Sequence, residues 1–317
     1  EKKKMTRYSL TEIIDRQGYV VLDGSMGTGL AEKGFELNTA LWTAGALVTA
    51  PELVRQVHLD YLKAGADCGI TDSYQATVPG FMAQGYGRQE AEDYIALSVR
   101  LMRETGEQWW QEEGKAQGRP HPVTAGAAGP YGAYLADGSE YTGAYEISEE
   151  ELRAFHRERM EILWKAGADI LAIETIPSRR EGEIMAQEAE KIGAKAWVTF
   201  SCRNGERTNK GDLLGEAAAA VDKIRSVEAI GVNCTHPKYI TQCIRQIREA
   251  TGKPIIVYPN SGEEYDAKEK RWTGIRYGKT LGEYAPEWYR EGARIIGGCC
   301  QTLSRQLRAI ARSLKAM

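Results

Sequence analysis

One arrangement of apolar and polar positions recurs along the chain. The stretches "YLKAGADCGITDSY" (61–74), "LWKAGADILAIET" (163–175) and "WYREGARIIGGCC" (288–300) each finish a helix, turn on Ala-Gly-Ala or Glu-Gly-Ala, and enter a short apolar run. Glycine just past a helix ends it by adopting a left-handed conformation, and an unbroken apolar run such as "ILAI" suits a strand buried on both faces. The three segments are therefore αβ units. Further strands are predicted at "YVVLDGSM" (19–26), "PVTAGAAG" (122–129), "AWVTFSC" (196–202), "AIGVNC" (229–234) and "PIIVYPN" (254–260), with helical spacing between most pairs. In "SEEELRAFHRERMEILWKAG", Ser148 and Glu151 form a capping box, while Leu152, Phe155, Met160 and Leu163 fall near one face.

Eight βα units in a chain of 317 residues point to a single-domain α/β fold, the (β/α)8 TIM barrel, with an open doubly wound sheet as the alternative. Residues 19–317 are assigned to the barrel and 1–18 to an N-terminal extension with a lead-in helix. A barrel keeps its chemistry where the strands end. Those ends carry Asp23, Ser73, Glu174, Cys202, Cys234, Asn260 and the adjacent Cys299 and Cys300. Long insertions follow the third strand (129–146) and the seventh (260–280), and loops of that length on an active face are commonly lids. The first holds Tyr131, Tyr134, Tyr141 and Tyr145, which makes it a candidate lid over the barrel mouth.

Charge narrows the ligand. With 41 basic and 44 acidic residues the net charge is -3, so no basic footprint marks nucleic acid or an anionic membrane as a partner. A small neutral or zwitterionic substrate is expected. The opening "EKKKMTRYSLTEIIDRQGYVV" has no apolar core of a secretion signal, which leads us to expect a soluble cytoplasmic protein with reduced thiols. "DGSMGTG" has glycines at 24, 27 and 29, the wrong spacing for a dinucleotide fingerprint, and "GIRYGKT" is one position short of a phosphate-binding loop.

Cys234 and the Cys299/Cys300 pair would meet across a barrel mouth, because only one strand separates the sixth from the eighth. Three thiolates suit a soft or borderline metal, and zinc held by three protein ligands keeps a fourth position for substrate. Neighbouring residues on a strand point to opposite faces, so both thiols reach one ion only if the backbone leaves the pleat, a distortion expected at Gly297 and Gly298. Cys68 and Cys243 read as core residues, and His58, His121 and His156 as packing or solvent groups. Cys202 and His236 stay open as further ligands.

The motifs "VVLDGSMGTGL", "ITDSYQAT", "GPYGAYLADGSEY", "GVNC", "VYPNSGE" and "IGGCC", in order from residue 20 to residue 300, resemble the zinc-dependent homocysteine S-methyltransferases. The resemblance implies Zn2+ on Cys234, Cys299 and Cys300 with homocysteine sulfur as fourth ligand. It further implies that the amino-acid end of homocysteine lies near Asp23, the backbone around Met26 and Gly27, Ser73 and Glu174. The expected reaction is methyl transfer from a sulfonium, S-methylmethionine or S-adenosylmethionine, to homocysteine, forming methionine. Selenocysteine-directed and betaine-dependent enzymes of the same family, and a zinc or thiol redox sensor, are the alternatives. No second barrel or Asp-x-His-x-x-Gly cobalamin motif accompanies it, which points to the stand-alone, folate-independent type.

Overall fold

The computed structural model describes residues 5–262, 264–266, 271–273 and 279–317. Seven strands, β1 (Val20–Val21), β2 (Cys68–Ile70), β3 (Val123–Ala128), β4 (Ile170–Ile176), β5 (Ala196–Phe200), β6 (Val227–Asn233) and β7 (Ile255–Tyr258), are followed by a short pair, β8 (Glu264–Asp266) and β9 (Arg271–Thr273), and by β10 (Ala293–Ile296). The sheet runs β1-β10-β7-β6-β5-β4-β3-β2 with every pairing parallel. A parallel bridge from Leu22 to Cys68 joins its two edges and closes the barrel. All eight expected strands are present. The antiparallel pair β8 and β9 within the insertion after β7 is an addition the periodicity did not indicate, and the "GIRYGKT" segment lies mostly outside the described residues.

Alternation along each strand divides the core. Leu171 and Ile173 of β4, Val198 of β5 and Val257 of β7 face the surrounding helices. Ile170, Ala172, Trp197, Ile256 and Ile295 point inward, in one cluster with Leu10 and Ile13 of the helix Leu10–Gln17. That first helix therefore shares the barrel's interior core and stops at Gly18, whose φ of 87° only glycine adopts readily. The helix Glu149–Ala166 has the expected box: Ser148 accepts from the Glu151 backbone, and Glu151 accepts from the Ser148 backbone.

The first strand is shorter than its apolar run. Ser25 caps a helix, Met26–Glu32, by accepting from the Thr28 N–H, so the chain must turn at Gly24 rather than extend to residue 26. The insertion after β3 folds into a helical turn, Tyr131–Leu135, and a 3-10 turn, Ser139–Tyr141.

Gly297 and Gly298 follow β10, but neither adopts a left-handed φ. Their role is close approach, since a Cβ at Gly297 would lie 2.5 Å from the Leu22 Cβ and 3.1 Å from the Asp23 carbonyl oxygen. Gly297→Ala should therefore push β10 away from β1, lowering stability by about 1–3 kcal/mol and loosening the segment that carries two of the thiols. A denaturant midpoint unchanged from the parent would show that this seam has room to spare.

Candidate metal and substrate site

Cys234 follows β6, and Cys299 and Cys300 follow β10, with β7 between them. The end of β7 gathers both segments. The Cys234 N–H donates to Tyr258 O at 3.2 Å, Cys299 N–H donates to Pro259 O at 2.7 Å, and Ser261 N–H donates to Cys300 O at 3.0 Å. As a result the Cys234 sulfur lies 3.2 Å from that of Cys299 and 3.7 Å from that of Cys300. All three sulfurs fall within 4.8 Å of one another, a group that could hold a metal ion.

Backbone strain marks the same place. Cys234 has φ of 48° and Gln301, next to Cys300, has φ of 61°, so the chain leaves the pleat at these residues rather than at the glycines. The other non-glycine residues with left-handed φ among those described are Trp42, Ala136 and Thr175, and all three line the cavity over the thiols. Each such residue costs on the order of 1–3 kcal/mol and persists only where surrounding contacts enforce it.

Proton sharing follows from crowding. Hydrogen bonds from Cys234 and Cys299 pull the Cys300 pKa well below its usual value, whereas hydrogen bonds to Cys299 and Cys300, together with burial, raise Cys234. The first proton leaves readily and the others do not. A cation is what would let all three become thiolates at once.

The cavity has a volume of about 510 Å³. Its described lining includes the three cysteines, Met26, Gly27, Trp42, Asp72, Tyr74, Glu140, Tyr141 and Glu174, and contains no Lys, Arg or His. Glu174 enters by strand alternation, continuing the inward set of Ile170 and Ala172. Its Oε2 accepts from the Tyr258 hydroxyl at 2.9 Å, and that hydroxyl also accepts from Trp197 Nε1 at 3.0 Å. Burial lifts the Glu174 carboxyl to about 7, against the lowering effects of the Tyr258 hydrogen bond and of the Arg159 charge. Beside it, Asn233 Oδ1 accepts from Thr175 N–H and from the Thr199 hydroxyl, each at 2.7 Å, tying the ends of β4, β5 and β6 together.

Other residues singled out in the sequence stand back from the cavity. Ser73 is buried with its hydroxyl donating to Ala127 O at 2.8 Å, so it bonds the end of β3 instead of facing a ligand. Asp23 is not part of the lining; its Oδ2 accepts from the Ile70 N–H at 2.8 Å, bracing β1 against β2. Tyr131 and Tyr134 pack on Phe155 with ring centroids 5.0 and 5.3 Å apart, and Tyr145 bonds Glu181. Of the four tyrosines only Tyr141 reaches the mouth. The free Cys202 thiol lies in hydrogen-bond contact with that of Cys243, and His236 accepts from Lys238 N–H at the start of a short turn, outside the sulfur group.

Asp72 was missed. Counting by twos from inward-facing Cys68 through Ile70 reaches Asp72, not Ser73, so the same alternation that places Glu174 could have found it. Asp72 is 2% exposed, and among the described residues neither carboxylate oxygen has a partner in full hydrogen-bond geometry. Burial pushes its pKa from 3.8 to about 7, only partly offset by the nearby Thr43 hydroxyl.

The sign of the pH effect is fixed by that rise. Below about pH 4 the carboxyl is protonated whether the chain is folded or unfolded. Between there and pH 7 the unfolded chain releases a proton that the folded chain retains, so stability drains away as pH rises. At pH 8, Asp72→Asn should therefore stabilise the protein, free of metal and substrate, by up to about 4 kcal/mol; at pH 4 it should do little. Denaturant midpoints at the two pH values check this, and equal midpoints at pH 8 would contradict it.

Comparison with known proteins places the chain. The homocysteine S-methyltransferase family matches residues 20–314. Homocysteine S-methyltransferase YbgG of Bacillus subtilis is 46% identical, over 96% of this chain and 98% of its own length. Homocysteine S-methyltransferase 4 of Zea mays is 43% identical over 94% and 90%. Among solved structures, the metallated form of the Escherichia coli homocysteine methyltransferase MmuM superposes with a TM-score of 0.86 at 40% identity, covering 96% of this chain and 99% of that one. With three thiols converging at the mouth of a (β/α)8 barrel and relatives matched over nearly their full length, the chain belongs to the homocysteine S-methyltransferase family.

Proposed function

We propose that the chain transfers a methyl group from a sulfonium donor, S-methylmethionine in preference to S-adenosylmethionine, to homocysteine, with Zn2+ on Cys234, Cys299 and Cys300. The observation that carries the reading is the convergence of these three thiols in an anionic cavity. Tetrahedral zinc with Zn–S bonds of about 2.3 Å sets its sulfurs about 3.8 Å apart; the 3.7 Å between Cys234 and Cys300 is near that value, and Cys234 and Cys299, at 3.2 Å, would open slightly around the ion. Bound there, zinc would take the homocysteine sulfur as its fourth ligand and keep it deprotonated at neutral pH.

The chain's own groups supply the rest. Three protein thiolates leave the site electron-rich, which favours attack on a cationic methyl donor. The donor's S–CH3 bond breaks with its electron pair returning to the donor sulfur, and a new S–CH3 bond forms on homocysteine. The homocysteine thiol proton has already been lost to solvent, and the leaving thioether is neutral, so no general acid is needed. Glu174, oriented by Tyr258, is placed to accept the homocysteine ammonium. Met26 and Gly27 line the cavity at the first turn of a helix, where backbone N–H groups are unused by the helix and suit a carboxylate. A volume of about 510 Å³ lies in the lower part of the usual range for ligand pockets, roughly 300–1,000 Å³.

The test is a donor panel with homocysteine, following methionine formation in the zinc-loaded protein and in Cys299→Ala. The parent should turn over S-methylmethionine fastest, and the variant should lose most of its zinc and nearly all turnover while remaining folded. Full zinc content and full turnover in Cys299→Ala would overturn the assignment.

A further inference from the structure

The cavity contains a charged group for which the homocysteine half of the reaction has no use. Asp72 lines it from the end of β2, 2% exposed, and among the described residues neither carboxylate oxygen meets a donor in full hydrogen-bond geometry, the Thr43 hydroxyl being the one donor near it. A buried acceptor left unmade is costly, and the cost is recovered when a ligand brings N–H groups to it. The described lining offers no Lys, Arg or His to do so. A sulfonium carries positive charge but no N–H, so it cannot satisfy the two oxygens; an ammonium carries three donors.

Two ligands must share the cavity, and if both are amino acids each brings an ammonium. Glu174 and Asp72 enter from β4 and β2 respectively. Glu174 belongs to the layer held by Tyr258, Thr199 and Asn233, which reaches the thiols through the end of β7. Asp72 enters two strands away, with β3 between, close to the Thr43 hydroxyl, and shares the cavity lining with Trp42 and Tyr74. The aromatic rings can face a sulfonium, while the carboxylate cannot be satisfied by it.

Resting on the reading of the chain as a sulfonium-dependent homocysteine methyltransferase, we propose that Asp72 binds the α-ammonium of the methyl donor and so selects sulfonium donors that are themselves amino acids. The ligand class is a zwitterionic amino acid with a sulfonium side chain. A sulfonium acid without the amino group, such as dimethylsulfonioacetate, forgoes this contact. Homocysteine keeps its own carboxylate, Glu174, and does not depend on Asp72.

The experiment measures the Kd of S-methylmethionine and of dimethylsulfonioacetate by calorimetry, and kcat/KM for both with homocysteine, in the zinc-loaded parent and in Asp72→Asn. The Kd of homocysteine is measured alongside and shows whether the variant's site is intact. A hydrogen-bonded charge pair lost at a buried site predicts that the preference for S-methylmethionine over dimethylsulfonioacetate falls about 10–100-fold, in binding and in kcat/KM, with homocysteine Kd unchanged. Equal losses for both donors, an unchanged preference, or weakened homocysteine binding in Asp72→Asn would each overturn the proposal, as would a parent that binds S-methylmethionine no better than dimethylsulfonioacetate. A parent that binds S-methylmethionine through Asp72 yet transfers no methyl would instead refute the methyltransferase reading and leave the ammonium site standing.

Discussion

Three sulfurs crowded within 4.8 Å at the end of a closed barrel form the constraint around which the rest is arranged. Without a cation the cluster can readily give up one proton, because each further thiolate would sit against the last. The backbone still holds the sulfurs together. Left-handed conformations at Cys234 and Gln301 and backbone hydrogen bonds with Tyr258, Pro259 and Ser261 fix their positions. A site prearranged in this way requires little movement to accept an ion, and its strain is offset by the barrel beneath it.

The barrel's alternation then decides which other groups meet the sulfurs. Glu174 and Asp72 point into the mouth because they continue the inward-facing sets of β4 and β2. Ser73, one residue further along, points out and bonds the β3 backbone. The result is a cavity with carboxylates and thiols but no basic side chain among its described lining residues. Such a lining favours cationic groups over anionic ones.

Much of this was legible in the sequence. The repeated helix, small-residue turn and apolar strand yield eight parallel strands, and the separated Cys234 and Cys299/Cys300 motifs become neighbours once strand order is known. What failed was finer than one residue of register or depended on three-dimensional packing. Residue type at the strand end points to Ser73, whereas alternation along β2 brings Asp72 into the cavity and turns Ser73 to the β3 backbone. The tyrosines of the insertion after β3 read as a lid, but Tyr131 and Tyr134 pack on Phe155 of the helix that follows and, of the four, only Tyr141 reaches the mouth. The glycines before the cysteines read as flexible hinges. They prove to be places where β10 passes too close to Leu22 and Thr302 for any side chain, and nothing in the local sequence announces that contact.

The central claim is that the three cysteines hold one zinc ion whose open position is filled by substrate sulfur. X-ray absorption at the zinc edge, recorded on the loaded protein with and without homocysteine, tests this most directly. Three sulfur neighbours at about 2.3 Å and one lighter ligand should become four sulfur neighbours when homocysteine is added. A nitrogen ligand that persists, or a first shell that homocysteine leaves unchanged, would contradict it.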